Sequence, residues 1–218
     1  MRHKTTQALY SYWNDLRGQR LAPRRFEIEP GSIGELLPDT FILERQDTET
    51  FPYRLAGTRL CERFKREFRG QNFLNSWSPP EAAIIRERLN SISVQGGAAL
   101  FLIEAENTAG KTVLMETIVL PLVHMHPVAD RYLGTVSTLD TPDWLGFEPI
   151  SVLRLLTDEI IWPDGRPHAA VANAGHQAPF LPHVRTARIV RSERRQFRVF
   201  DGGLADTRPG QGPETGHQ

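Results

Sequence analysis

Few residues of this 218-residue chain have the type and spacing that chemistry demands. Cys61 is the one cysteine, which excludes an intramolecular disulfide, a cysteine-based zinc site and an iron–sulfur cluster. It falls in a stretch, 57–70, that mixes Leu60, Phe64 and Phe68 with many charges, so a small buried hydrophobe is a simpler reading than a reactive thiol. His124 and His126 alternate after a strand-like run and can face one side, but Pro127 follows in what reads as a loop. Two imidazoles without a carboxylate partner make a poor metal site. Glu104, Glu106 and Glu116 fall on adjacent strand candidates and could bring two carboxylates together for acid–base work; pairing with Lys111 or solvation accounts for them more simply. No Gly-x-Ser-x-Gly elbow, phosphate loop or dinucleotide glycine fingerprint is present, so catalysis has no evident owner.

The basic residues are similarly local. Arg185, Arg188, Arg191, Arg194, Arg195 and Arg198 stand against one glutamate in 185–198 and could meet an anionic partner, a nucleotide or RNA. Arg191 and Arg195 match the arginine pair of cyclic-dinucleotide readers, but Asp201 is followed by Gly202-Gly203-Leu204 where those readers carry Asp-x-Ser-x-x-Gly. A solvated face is the simpler account. Across the chain 26 basic and 26 acidic residues cancel, which removes the overall basic field of nonspecific nucleic-acid or membrane-surface binders. No run resembles a signal-peptide core or approaches the length of a spanning helix, and a lone thiol suits a reducing compartment; a cytoplasmic location without membrane insertion is expected.

These residues need elements to hold them. A first helix is predicted from residue 5 or 6 to 17, with Ala8, Leu9, Tyr12, Trp13 and Leu16 on one face and Gly18 as its exit. After a basic linker, Ser32 can cap a short helical turn ending at Pro38. Strand candidates 40–44 and 52–56 follow, then short helices in 57–70. Ser78, Pro79 and Glu81 form the signature of a capped helix that carries Ile85, Leu89 and Ile92 to a stop at Gly96-Gly97. Three longer strand candidates, 98–106, 111–122 and 131–139, complete an antiparallel meander. Beyond 139 prolines accumulate, Val152 to Leu156 reads as a brief helix, and the Gly- and Pro-rich end after Asp206 reads as disordered. The expected organisation is an N-terminal helix and linker (1–38), a core (39–140) and an irregular C-terminal extension (141–218).

This is an α+β arrangement, a five-stranded antiparallel sheet with helices on one face, and its element order resembles the PAS fold. The run Tyr53-Arg54-Leu55-Ala56-Gly57-Thr58, followed by Leu60-Cys61, Phe64, Glu67, Gly70 and Phe73, is similar to the corresponding segment of stand-alone PAS proteins of alphaproteobacteria. Trp13, Leu16-Arg17-Gly18, Pro23-Arg24, Leu114, Glu116 and Leu120-Pro121-Leu122 fit the same group, so the resemblance spans about 12–139. It implies a non-catalytic sensory or regulatory module that binds a small ligand between helices and sheet, contacts a signalling partner, or both. It names no cofactor, and the ligand stays unknown.

Light-sensing PAS domains carry an Asn-Cys-Arg-Phe-Leu-Gln signature. Here Gly70-Gln71-Asn72-Phe73-Leu74-Asn75 occupies the comparable place, with Phe73 where the thiol would stand, so no flavin adduct forms there. No histidine lies in the connector helix to ligate haem. The candidate cleft residues are Tyr53, Phe64, Phe73, Trp77, Phe101, Ile103, Met115 and Thr117, whose alternation places each strand's set on one face; they fill either a closed core or a ligand pocket. Tyr12, Trp13 and Leu16 are candidate contacts for a homodimer or partner, or for a cap on the chain's own sheet. An enzyme using the cleft and a nucleotide- or nucleic-acid-binding adaptor using the arginines remain the alternatives.

Overall fold

The computed structural model describes residues 1–125 and 128–168. Helix α1 (Lys4–Arg17) begins at His3, whose ring nitrogen accepts the Thr5 N–H, and ends at Gly18 with φ of 56°. A tight 3-10 stretch (Pro30–Asp39), kinked at Ile33, replaces the Ser32-capped turn and starts ahead of it. Strands β1 (Thr40–Glu44) and β2 (Tyr53–Ala56) pair antiparallel, followed by α2 (Thr58–Phe64), a 3-10 turn (Phe73–Ser76) and α3 (Pro79–Gln95). The foreseen cap is present: the Glu81 carboxylate accepts the Ser78 N–H at 3.2 Å, and Gly96 at φ 76° closes the helix.

Strands β3 (Ala98–Asn107), β4 (Thr112–Leu122) and β5 (Arg131–Thr138) form the expected meander. The sheet nevertheless has six strands, in the order β2-β1-β5-β4-β3-β6, all pairs antiparallel. The sixth, β6 (Ile150–Ile161), contains the Val152 to Leu156 cluster read as helix and carries the sheet past residue 140, where the core was expected to end. Pairing along the whole of β3 supplies the backbone hydrogen bonds that a short local apolar cluster does not reveal.

Period-two alternation divides the sheet's side chains between two apolar layers. On one face Phe101, Ile103, Met115 and Val136 pack with Leu60, Phe64, Ile85, Leu89 and Ile92 from α2 and α3. On the other, Leu100, Ile118, Leu120 and Leu133 pack with Leu9 and Trp13 of α1. Trp13 is fully buried and donates its indole N–H to the Pro121 carbonyl at 2.8 Å, so its polar edge is satisfied where its rings are dry.

Two glycines are set by close approach. At Gly57 a Cβ would lie 2.4 Å from the Leu37 carbonyl oxygen and 2.3 Å from that of Pro38; at Gly134 it would lie 2.2 Å from the Phe41 ring. Among the described residues, no helix is long and apolar enough to cross a membrane.

Candidate functional site

The cleft is built between the concave layer of the sheet and the segments that precede α3. Strands β3 and β4 contribute Ile103, Met115 and Thr117; β5 and β6 add Val136 and Leu153. The opposing wall comes from Tyr53 at the start of β2, Leu60 and Phe64 on α2, Phe68 after it, and Phe73, Ser76 and Trp77 around the 3-10 turn. Asn72 shapes that turn: its side chain accepts the N–H groups of Phe51 (3.0 Å) and Leu74 (3.3 Å), aiming Phe73 inward.

Seven of the eight candidate cleft residues thus surround one space. Phe101 does not; it is fully buried in the same layer but away from the cavity. Leu60, Phe68, Ser76, Val136 and Leu153 also line it, and sequence reading missed them. Leu60 and Phe68 were visible as core but had no register to place them, and Leu153 lay in the segment misread as helix.

The aromatic rings close the space. Tyr53 and Phe68 have centroids 4.9 Å apart, Phe64 and Phe68 5.2 Å, Tyr53 and Phe73 5.7 Å, and Phe73 and Trp77 6.1 Å, mostly tilted or edge-on. Arg66 lies 4.5 Å over the Phe68 ring from outside. The remaining cavity is about 20 Å³, room for about one water. That is far below the ~300–1,000 Å³ of small-molecule sites, with Phe64, Phe68 and Phe73 among the residues that fill the cleft.

Two polar atoms face this apolar surround without a hydrogen-bond partner: the Trp77 indole N–H and the hydroxyl of Thr117, itself 1% exposed. Burial pushes the Tyr53 phenol well above its ordinary range, so it stays protonated.

The other candidate groups are engaged elsewhere. Glu104 and Glu106 both pair with Arg154 on β6, at 3.2 and 2.5 Å, and Lys111 pairs with Glu148 at 3.0 Å. Glu116 is buried on the opposite face and accepts the N–H groups of Arg2 (2.6 Å) and His3 (3.0 Å), binding the start of α1 to β4. Burial raises its carboxyl, but these hydrogen bonds outweigh that and hold it below the usual carboxylate value. Cys61 is half-buried, and burial pushes its thiol up. His124 sits in the loop after β4; His126 and the 185–198 arginines lie outside the described residues. Among the described residues, no group of three or more His, Cys, Asp or Glu could hold a metal.

Of the α1 candidates, Trp13 is spent on the chain's own sheet. Tyr12 and Leu16 are half-buried beside it, and the Tyr12 hydroxyl accepts the Glu29 N–H at 2.9 Å.

Residues 1–137 match a family model described as "PAS domain", well over half of the 218 residues, and the chain belongs to that family. The PAS fold supports a sensory module in general terms, and such domains are typically non-enzymatic. No curated protein matches the chain. Similar solved structures include a LOV protein of Rhodobacter sphaeroides, at 12% identity and a TM-score of 0.39 over 53% of this chain and 71% of that one. A point variant of RsLOV (12%, 0.39, 66% and 72%) and its d2 variant (14%, 0.38, 66% and 71%) are also similar.

Proposed function

We propose that this chain is a non-catalytic PAS regulatory protein of the cytoplasm, in which a small, mostly apolar ligand opens the closed cleft and the change passes to a signalling partner by association. The observation that carries this reading is the pair of unpartnered polar atoms, Trp77 Nε1 and Thr117 Oγ1, on residues that line a mostly apolar space. A buried donor left unpaired costs on the order of 1–3 kcal/mol, and a ligand with one acceptor among apolar atoms relieves that cost. Tyr53 is the titratable side chain of the lining among the described residues, which supports binding over acid–base chemistry. We place the partner or homodimer contact at the reachable rims of Tyr12 and Leu16 and not at Trp13.

Native mass spectrometry of the purified chain tests both parts. A copurifying small molecule that is lost in a Trp77→Phe variant is expected, together with a dimer or a captured partner. A ligand-free, strictly monomeric chain, whose unfolding no hydrophobic library compound alters, would overturn the ligand and homodimer readings.

A further inference from the structure

A cavity larger than the cleft lies on the other side of the sheet. Helix α1 lies over the outer face at β4 and β5 and the 3-10 stretch over β1 and β5, and they leave a chamber of about 360 Å³ at the β1-β2 corner. That is eighteen times the 20 Å³ of the cleft and within the ~300–1,000 Å³ of small-molecule sites. Its floor is Ile42 and Leu133, and its walls include Ile33, Leu37 and Leu55.

The wall has little polarity to offer. The Thr40 hydroxyl donates to the Leu37 carbonyl at 2.9 Å, and the Gly57 N–H to the Thr40 carbonyl at 2.7 Å. Arg25 is the exception. Its backbone N–H donates to the Val123 carbonyl at 2.7 Å, which fixes its position beside the sheet, and the residue is half-buried and lines the chamber. The acids nearby are already engaged: Glu27 pairs with Arg20 at 3.0 Å, and Asp39 pairs with Arg59 and Arg63. Glu29 is exposed, with Ser32 at 3.5 Å. Arg25 has no ion-pair partner among the described residues.

An aliphatic chamber with one uncompensated guanidinium selects for an aliphatic body with one negative charge. A phosphate dianion would want more donors than one arginine, and a neutral lipid would leave the guanidinium unanswered. We propose that this outer chamber binds a medium-chain aliphatic carboxylate, its tail between the β1-β2 corner and the 3-10 stretch and its carboxylate on Arg25. The site is independent of the cleft and stands or falls without it.

The test is a titration of the full chain, methyl-labelled at Ile, Leu and Val, with sodium decanoate below its micellar concentration, followed by NMR. Saturable shifts are expected at Ile33, Ile42, Leu55 and Leu133, while Leu60, Ile103 and Leu153 of the cleft stay still. Arg25→Gln should weaken decanoate roughly fivefold or more and leave decanol unchanged. Leu55→Glu, at a 44% exposed position that tolerates a charge, should abolish decanoate binding by repulsion. Shifts confined to the cleft methyls, shifts led by Leu9 and Leu16 as α1 is stripped off, equal affinity for decyltrimethylammonium, or no saturation would each overturn the proposal.

Discussion

Thr117 and Gly57 show what a single position decides. The Thr117 hydroxyl is buried without a partner, so Thr117→Val exchanges an unsatisfied oxygen for a methyl of nearly the same shape. The variant should gain about 1 kcal/mol, a rise of roughly 2–4 °C in thermal midpoint. The same change should weaken any cleft ligand that uses the hydroxyl; a lower midpoint would mean that the oxygen is satisfied after all. Gly57 gives the opposite sign. A methyl there collides with two backbone carbonyl oxygens that cannot move aside, so Gly57→Ala should cost about 3 kcal/mol or more in urea unfolding. Gly18→Ala, strained at φ 56° but facing open space, should cost only about 1 kcal/mol.

Among the elements, two carboxylates do the joining. Glu81 caps α3 through Ser78 and also accepts the Leu155 N–H at 2.7 Å, tying β6 to the helix; Glu116 ties α1 to β4. Burial raises both carboxyls, and for Glu81 the bonds from Ser78 and Leu155 more than offset it, so both end below their ordinary value. A lowered folded value means that the stabilisation is complete above the unfolded carboxylate value of about 4.3 and is lost as pH falls through the folded one. Glu116→Gln should therefore cost about 1.5–3 kcal/mol at pH 7, and its difference from the parent should shrink toward pH 3. Urea midpoints against pH read this, and amide exchange should quicken first in α1.

The Glu81 cap was legible in the sequence because Ser-Pro-x-Glu is a local signal, and so was the β3-β4-β5 meander because its alternation is long. The second use of Glu81 was not legible, since it depends on β6 pairing with β3 at the sheet edge, which brings the Leu155 N–H to α3. Strand β6 itself was hidden because it is an edge strand with one face half wet, where Leu153, Arg154 and Leu155 offer no clean alternation until β3 pairs with them. The cleft aromatics were found by type and by family resemblance. The outer chamber had no sequence signal, because linker and sheet residues far apart in the chain enclose it.

For the whole molecule, the consequence of an apolar layer on each face of the sheet is that α1 is structural before it is anything else. Trp13→Ala should cost about 3–5 kcal/mol and bare the apolar layer of Ile118, Leu120 and Leu133, so concentration-dependent association should appear in sedimentation. Tyr12→Ala, at a half-buried site, should leave the fold's stability nearer the parent's. At the far end of the helix, Arg17 is 3% exposed and pairs with Asp164 at 3.0 Å, joining α1 to the segment beyond β6. Short α2 stands between the two cavities: its first residue, Thr58, borders the outer chamber, and Leu60 and Phe64 border the cleft. Cys61 rides on this same helix as the sole sulfhydryl of the chain. A nitroxide or dye attached there needs no engineered mutation, and its signal would register an opening on either side, giving this protein a built-in gauge of its own breathing.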